Sequence, residues 1–255
     1  IKQHTKVTYL GCTLDNNLSG ESMAINVLTK INGRLKFLYR KQNFLNNSLR
    51  RLLCNALIQP HYDYACSAWY PNLTKRLTKK IQTSQNKCIR YCLKLGNRAH
   101  IGIDELRKIN WLPTKERFEQ CVCVNIFKFF KNTSPAYSSE IYHILDQRQN
   151  TRRSKNVLQL PQRTSNVGQK GISYLGPRTW NKLSSETKSV GTVNTFKHDV
   201  KKKFFEDLKK KDDDIYIYYW SSFFLIRPNL ILIRDQHIYF RRAFVLYTFY
   251  YLCYY

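Results

Sequence analysis

The chain has 255 residues, and its 43 Lys and Arg against 17 Asp and Glu give a formal net charge of +26. This excess argues against an ordinary enzyme of acidic or neutral metabolites and indicates a polyanionic partner, nucleic acid first and a membrane surface second. With 43% apolar and 14% aromatic residues the chain can build a core, which argues against general disorder, while its 9 Gly and 7 Pro are too few for a turn-dense β architecture.

The N-terminus carries no recognisable targeting signal. The chain begins at Ile1, its single Met is Met23, and no basic stretch followed by an apolar segment opens it. We therefore expect a piece of a longer protein that is nuclear or cytoplasmic and is not secreted. The 8 Cys lie in or next to apolar helical runs, so we expect reduced thiols.

A short β element is predicted first, followed by a helix. Residues 6–15 are rich in β-branched and aromatic side chains around Gly11, which is typical of two short strands joined by a turn or bulge. Over residues 22–41, apolar residues recur at steps of three or four and predict an α-helix. Its expected buried stripe is Ile25, Leu28, Ile31, Leu35 and Leu38.

Two further helices are predicted before residue 100. Polar residues at 46–48 offer a cap for the second helix, which Pro60 ends. Its expected core face is Leu49, Leu52, Leu53, Ala56 and Leu57. The third helix covers about 73–95, and its expected apolar stripe is Leu77, Ile81, Cys88, Cys92 and Leu95.

Basic side chains crowd the other faces of these three helices. Between Ser22 and His100 there are 15 Lys and Arg and a single acid, Asp63. Repulsion among these charges is costly unless a counter-charge is supplied, and a phosphate backbone supplies it. We therefore predict largely sequence-independent contacts with RNA or DNA phosphates. The candidate residues are Lys30, Arg34, Arg40, Lys41, Lys75, Arg76, Lys79, Lys87, Arg90 and Lys94.

An aromatic segment separates the second and third helices and allows two interpretations. Its members are Tyr62, Tyr64, Trp69 and Tyr70. Such rings either stack on nucleic-acid bases or are buried between helices, and burial is the favoured interpretation.

Residues 101–211 predict a helical extension with a basic loop. A short helix at 103–109 precedes a longer one that starts at 111–113, and a further helix is expected over 136–145. A last amphipathic helix is expected to close at Lys211, with an apolar stripe formed by Phe196, Val200, Phe204 and Leu208.

The basic loop and the C-terminal tail have other compositions. Residues 147–185 hold 8 basic residues and no acid, and we expect them to be irregular, with a short strand at 157–161. Arg152 and Arg153 in this loop are further candidates for phosphate contacts. The aromatic tail at 212–255 is expected to be poorly ordered and has no apolar run of the roughly 20 residues that a membrane span needs.

Catalytic motifs are missing from the sequence. It contains no glycine-rich phosphate loop, no Gly-x-Ser-x-Gly and no His-Glu-x-x-His. Its consecutive acids lie on or beside predicted amphipathic helices, where solvation explains them better than a two-metal site does.

One group of side chains has a spacing that suggests a metal site. Cys88 and Cys92, with His100 and Glu105 beyond them, resemble a zinc site in their spacing. Both thiols lie on the predicted apolar stripe, and no further Cys or His completes the set. Core thiols are therefore favoured over a zinc site.

Several motifs follow one another along the chain in a recognisable order. They are Tyr9–Gly11 with Leu14–Asp15, Leu57–Pro60 with Tyr62–Tyr64, Gln85–Lys87 with Ile89–Arg90, Gly176–Leu183 and Thr195–Lys197. Together they resemble the region just downstream of the palm, and the carboxy-terminal signature, of reverse transcriptases of non-LTR (LINE-type) retrotransposons. The resemblance covers about residues 7–208 and is more specific than any one motif.

The resemblance implies a parent enzyme that copies element RNA into DNA with two Mg²⁺ ions held by palm aspartates. The motif with these aspartates precedes Tyr9, Leu10 and Gly11 in the family and does not occur in this sequence, so we expect no cofactor and no nucleotide addition by this chain alone. By resemblance, those three residues would close the palm near the primer end, as a primer-grip-like element. The basic helices would form a thumb that binds template and primer RNA or DNA.

The expected fold is mainly α, a thumb-like helical bundle with a short β element at the N-terminus and a small, partly irregular helical C-terminal region. We expect four parts: 1–21 as the end of a palm, 22–100 as the basic thumb, 101–211 as the extension and 212–255 as the tail. One alternative is a non-catalytic RNA- or DNA-binding helical protein derived from such an element. A second is a peripheral membrane protein that uses the aromatic tail.

Overall fold

The computed structural model describes residues 5–145 and 156–226, with side chains up to residue 212. These residues are mainly α-helical and include one two-stranded sheet, which confirms the predicted fold class. The chain divides into a compact unit, Ile1–Lys209, and a second unit, Lys210–Tyr255. Residues 227–255, most of the aromatic tail, lie outside the described residues.

The predicted β element is an antiparallel hairpin of β1 (Lys6–Tyr9) and β2 (Cys12–Asp15). Its two turn residues, Leu10 and Gly11, have φ angles of 47° and 76°. Left-handed backbone at both positions is typical of a two-residue turn that matches the twist of the strands, and glycine adopts it without strain.

The first predicted helix is α1 (Glu21–Arg40). Its buried residues are Met23, Ala24, Val27, Ile31, Leu35 and Leu38. Ile25, predicted to be buried, is 49% exposed, because Ala24 and Val27 hold the core-facing positions of the first turns. Gly20 precedes the helix with φ 71°, and a Cβ there would lie 2.3 Å from the Trp69 carbonyl oxygen, so only glycine fits.

The second predicted helix, α2 (Asn47–Leu57), begins as expected with Asn46, whose side chain accepts a hydrogen bond from the Leu49 amide. The predicted core face of α2 is wrong: Leu49, Leu52 and Leu57 are 42%, 60% and 37% exposed. Its buried residues are instead Arg50 and Cys54.

Arg50 explains this inverted orientation, because its guanidinium bonds to three main-chain carbonyls, two in the turn after α1 and one in α5. Nε donates to the Leu45 carbonyl and Nη1 to the Tyr91 carbonyl, each at 3.1 Å, and Nη2 donates to the Gln42 carbonyl. The guanidinium carbon also lies 5.0 Å from the centre of the Tyr91 ring. Within the described residues, no carboxylate forms an ion pair with Arg50.

The aromatic segment folds into short helices that lead into the central helix. These are α3 (Gln59–Asp63), α4 (Cys66–Trp69), a 3₁₀ turn (Tyr70–Asn72) and α5 (Lys75–Leu93). Pro60 lies in the first turn of α3, where no intrahelical donor is needed, and α2 ends at Leu57 instead. α5 packs against α1 and α2. Its predicted stripe is buried except for Leu95, which lies beyond the helix and is 36% exposed.

The second half of the compact unit is also helical. Its elements are α6 (Ile103–Ile109), α7 (Thr114–Phe130), α8 (Ser138–Ile141), α9 (Asn166–Lys170), α10 (Ile172–Asn181), α11 (Ser185–Ser189) and α12 (Val193–Ile226). The predicted helix at 136–145 is reduced to α8, because the chain leaves it to form an isolated bridge between Ile144 and Leu158. The strand predicted at 157–161 is reduced to the same bridge.

Two boundaries in this half differ from the sequence prediction. The stretch predicted to be irregular contains α9 and α10, which pack on each other and, through α10, on α7. The last helix continues past Lys211 to Ile226. Apolar periodicity alone predicts neither α9 and α10 nor the longer last helix. The packing of α10 depends on a contact with the distant α7.

The segment 176–183, which carries part of the family resemblance, turns Gly176, Pro177, Trp180 and Leu183 into the core and leaves Arg178 and Lys182 exposed. A Cβ on Gly176 would lie 2.9 Å from a ring carbon of Tyr142, so the close approach of α10 requires glycine. Trp180 is fully buried and donates from Nε1 to the Asn156 carbonyl at 2.8 Å. The Asn181 side chain pairs with both main-chain groups of Leu158, at 3.0 and 2.8 Å.

We predict that Arg50→Ala lowers the free energy of unfolding by about 3 kcal/mol, because it leaves three carbonyls without their donor. Urea unfolding followed by circular dichroism measures the change. The exposed neighbour serves as the control, with Arg51→Ala expected to change stability by less than about 0.5 kcal/mol. Equal effects of the two substitutions would show that Arg50 has no structural role.

Candidate nucleic-acid interface

The predicted cationic surface of α5 is present and open to solvent. Lys75, Arg76, Lys79, Lys87 and Lys94 are all exposed. Helical spacing places the 75/79 pair on one face and the 76/87 pair about a quarter turn away, and Lys94 follows the last helical residue. The apolar side of the helix packs into the core at the same time, so α5 joins the core to the charged surface.

Arg90 differs from the other basic candidates on α5. Its side chain is half-buried and Nε donates to the Ala99 carbonyl at 2.8 Å. This bond holds the loop that follows α5 against the last turns of the helix. Arg90 therefore contributes to the fold and is less available for phosphates than its neighbours.

Four predicted candidates lie on α1 or directly after it, and all are exposed: Lys30, Arg34, Arg40 and Lys41. Arg34 also donates to the Leu57 carbonyl and so ties α1 to the end of α2. Phe37, which is 56% exposed, shares a helix face with Lys30, Arg34 and Lys41.

The positive potential of this surface affects His61 at the start of the aromatic segment. Burial lowers the pKa of His61, and the nearby charges of Arg34 and Lys30 lower it further. A third positive charge beside these two side chains is unfavourable, so the imidazole resists protonation.

Further exposed basic residues extend the surface beyond the residues chosen from the sequence. They are Lys36, Arg51, Lys80, Arg98 and Lys115. The charge count between Ser22 and His100 includes the first four, and their positions on helical faces could have identified them. Lys115 lies outside that segment, and only the packing of α7 near α5 brings it close. Arg152 and Arg153 lie outside the described residues.

Asp63, the single acid among residues 22–100, forms an ion pair with Arg117 of α7. Arg117 donates to both carboxylate oxygens of Asp63, from Nε at 2.9 Å and from Nη2 at 2.7 Å. The hydrogen bonds that Arg117 donates to Asp63 raise the pKa of Arg117. Arg117 Nη1 continues to Gln120 Oε1 at 2.8 Å, and Gln120 Nε2 donates to the Lys197 carbonyl at 2.8 Å. The only carboxylate among residues 22–100 is thus paired with Arg117 instead of neutralising the basic faces.

The aromatic segment is mostly buried. Tyr62, Trp69 and Tyr70 are 8% exposed or less, which supports burial between helices over base stacking. Tyr64 is 50% exposed, and its hydroxyl donates to the Leu10 carbonyl in the hairpin turn.

The residues for which the resemblance implies a primer-grip-like role form the exposed tip of the hairpin. Tyr9 and Leu10 are 67% and 74% exposed, and Gly11 lies against the Tyr64 ring. The structure thus presents an apolar turn tied to α3 through Tyr64.

The thiols considered as zinc ligands lie in the interior. Cys88 and Cys92 are buried, whereas His100 is exposed. Burial raises the pKa of the Cys88 thiol to about 12, which is opposite to what a thiolate ligand requires. Within residues 5–145 and 156–226, no group of three His, Cys, Asp or Glu is placed to hold a metal ion.

Comparison of the chain with protein-family models, with curated proteins and with solved structures finds no match. In the part of the chain that the structure describes, no helix is both long and apolar enough to cross a membrane.

We predict that Asp63→Asn lowers the free energy of unfolding by about 2 kcal/mol, because it replaces a two-bond, charge-assisted contact by a neutral one. Chemical denaturation measures the change. The exposed Asp212, changed to Asn, is the control and should leave stability within about 0.5 kcal/mol. An Asp63→Asn chain as stable as the wild type would contradict a structural role for the ion pair.

Proposed function

We propose that this chain binds nucleic acid through the cationic faces of α1 and α5. One observation carries the proposal: the basic faces have no carboxylate to neutralise them. The single acid among residues 22–100 is paired with Arg117, and the lysines on two faces of α5 are exposed. Crowded positive charges without carboxylates are stabilised when phosphates approach, and release of counter-ions favours the complex.

The proposed mode of binding is contact with the phosphate backbone. Lysine ammonium groups on flexible stems suit phosphate oxygens but carry little information about base sequence. The described aromatic residues of the segment between α2 and α5 are mostly buried, which leaves backbone contact as the main source of affinity.

We further propose that the chain corresponds to the thumb and carboxy-terminal region of a non-LTR retrotransposon reverse transcriptase, an RNA-directed DNA polymerase. The support is the order of the motifs in the sequence, together with the agreement between the predicted and observed class of fold. On this proposal the chain holds template and primer RNA or DNA, and nucleotide addition needs palm aspartates with their Mg²⁺ that the sequence does not contain. A stand-alone nucleic-acid-binding protein derived from such an element would use the same surface.

The test is a variant in which Lys75, Lys79, Lys80 and Lys87 are replaced by Ala. Arg90 is left in place because it holds the loop after α5. We expect the affinity for RNA and DNA duplexes to fall at least about tenfold, to a similar extent for every sequence, with the far-UV circular dichroism spectrum unchanged.

The matched control removes four exposed lysines outside α5: Lys128, Lys170, Lys202 and Lys209. Both variants lose the same positive charge. If the control weakened binding as much as the α5 variant, net charge would explain affinity and the assigned surface would be wrong.

A further inference from the structure

A groove of about 550 Å³ lies between the start of α5 and the start of α7. Its lining includes three exposed lysines, Lys75, Lys79 and Lys115, and one carboxylate, Glu116. The apolar part of the lining is formed by Tyr70, Leu73, Pro113 and Leu208. The groove is open to solvent and combines an excess of positive charge with an apolar surface.

The polar side chains that lie between the lysines and the apolar lining form hydrogen bonds within the protein. Gln82 Oε1 accepts hydrogen bonds from the amide and the hydroxyl of Thr114, at 2.9 and 3.0 Å. Gln82 Nε2 donates to Gln85 Oε1 and Asn86 Oδ1, each at 2.9 Å. The Thr78 hydroxyl donates to the Thr74 carbonyl at 3.1 Å. The donor hydrogens of these side chains are therefore used within the protein.

This network also holds the groove in shape. Gln85 is fully buried and donates to the Leu112 carbonyl at 2.9 Å, immediately before α7. The Tyr70 hydroxyl lies 3.2 Å from Thr114 Oγ1, and the Tyr70 ring stacks on Phe118 at a centroid distance of 5.2 Å. α5, α7 and the 3₁₀ turn before α5 are thereby fixed to one another, so the groove is formed before any ligand binds.

We propose that this groove binds one unpaired nucleotide of a single nucleic-acid strand. The base lies over the half-buried Pro113 and Leu208, above the buried Tyr70 and Leu73, and its flanking phosphates contact Lys75, Lys79 and Lys115. The inference rests on the proposed function and adds a substrate class to it. A duplex keeps its bases stacked inside and can bring only its phosphates to these lysines, whereas a single strand offers both base and phosphate.

We expect the groove to bind all four bases with similar affinity. Discrimination between bases requires hydrogen bonds to their edges. The side-chain donors of Gln82, Thr78 and Thr114 are already engaged, so apolar contact and charge remain as the main sources of affinity. Both are shared by all four bases.

The test compares two triple-alanine variants of the full chain that lose the same charge. The groove variant changes Lys75, Lys79 and Lys115, and the control changes Arg76, Lys80 and Lys87 on the other basic face of α5. Fluorescence anisotropy measures their affinity for a labelled oligo(dT) and for a duplex of equal length. We expect the groove variant to lose at least about tenfold more affinity for oligo(dT) than the control does, and no more affinity for the duplex.

Three results distinguish a failure of the groove assignment from a failure of the proposed function. Equal affinities of both variants for oligo(dT), with the wild type binding duplex normally, would overturn the groove assignment and leave the proposed function intact. Absence of binding to both nucleic acids by the wild type would overturn the two together. In competition against oligo(dT), thymidine monophosphate should displace the probe at lower concentration than inorganic phosphate does, and equal competition would show that no base enters the groove.

Discussion

The ion pair between Asp63 and Arg117 is the contact on which the charge distribution of this molecule depends. It uses the only carboxylate among residues 22–100 and continues through Gln120 to the main chain of α12. The pair thus connects the first half of the compact unit to the second. Because that carboxylate is paired with Arg117, the basic faces of α1 and α5 meet solvent with no acid of their own segment beside them, and a polyanion can supply the missing counter-charge.

α5 carries both the packing and the charge. Its apolar side contacts α1 and α2, and its polar residues Gln82 and Gln85 fix the start of α7. Its remaining faces expose lysines. The segment 176–183 has a different role, since Gly176 and Trp180 are buried and the half-buried Asn181 bonds to the main chain of Leu158. That segment therefore bears on the fold, whereas the exposed lysines of α5 bear on binding.

Local patterns predicted much of this structure. The hairpin, α1 and α5 follow from alternation, turn residues and apolar spacing, and the basic faces follow from the same helical geometry. The orientation of α2 could not be predicted, because the buried Arg50 bonds to three carbonyls, two in the turn after α1 and one in the distant α5. α9 and α10 were missed for a similar reason, since α10 packs closely on Ile126 and Tyr142, which are distant in sequence, and α9 packs on α10. The groove was also missed, because Lys115 joins Lys75 and Lys79 only in the folded chain.

The salt dependence of duplex binding tests the central claim most directly, because it counts the phosphates that basic side chains neutralise. With about four phosphate contacts, the affinity of the wild-type chain should fall about a hundredfold between roughly 50 and 200 mM monovalent salt. The slope of log Kd against log salt concentration should fall by about one for each lysine removed from α5. An affinity that does not change with salt would contradict phosphate binding by these helices.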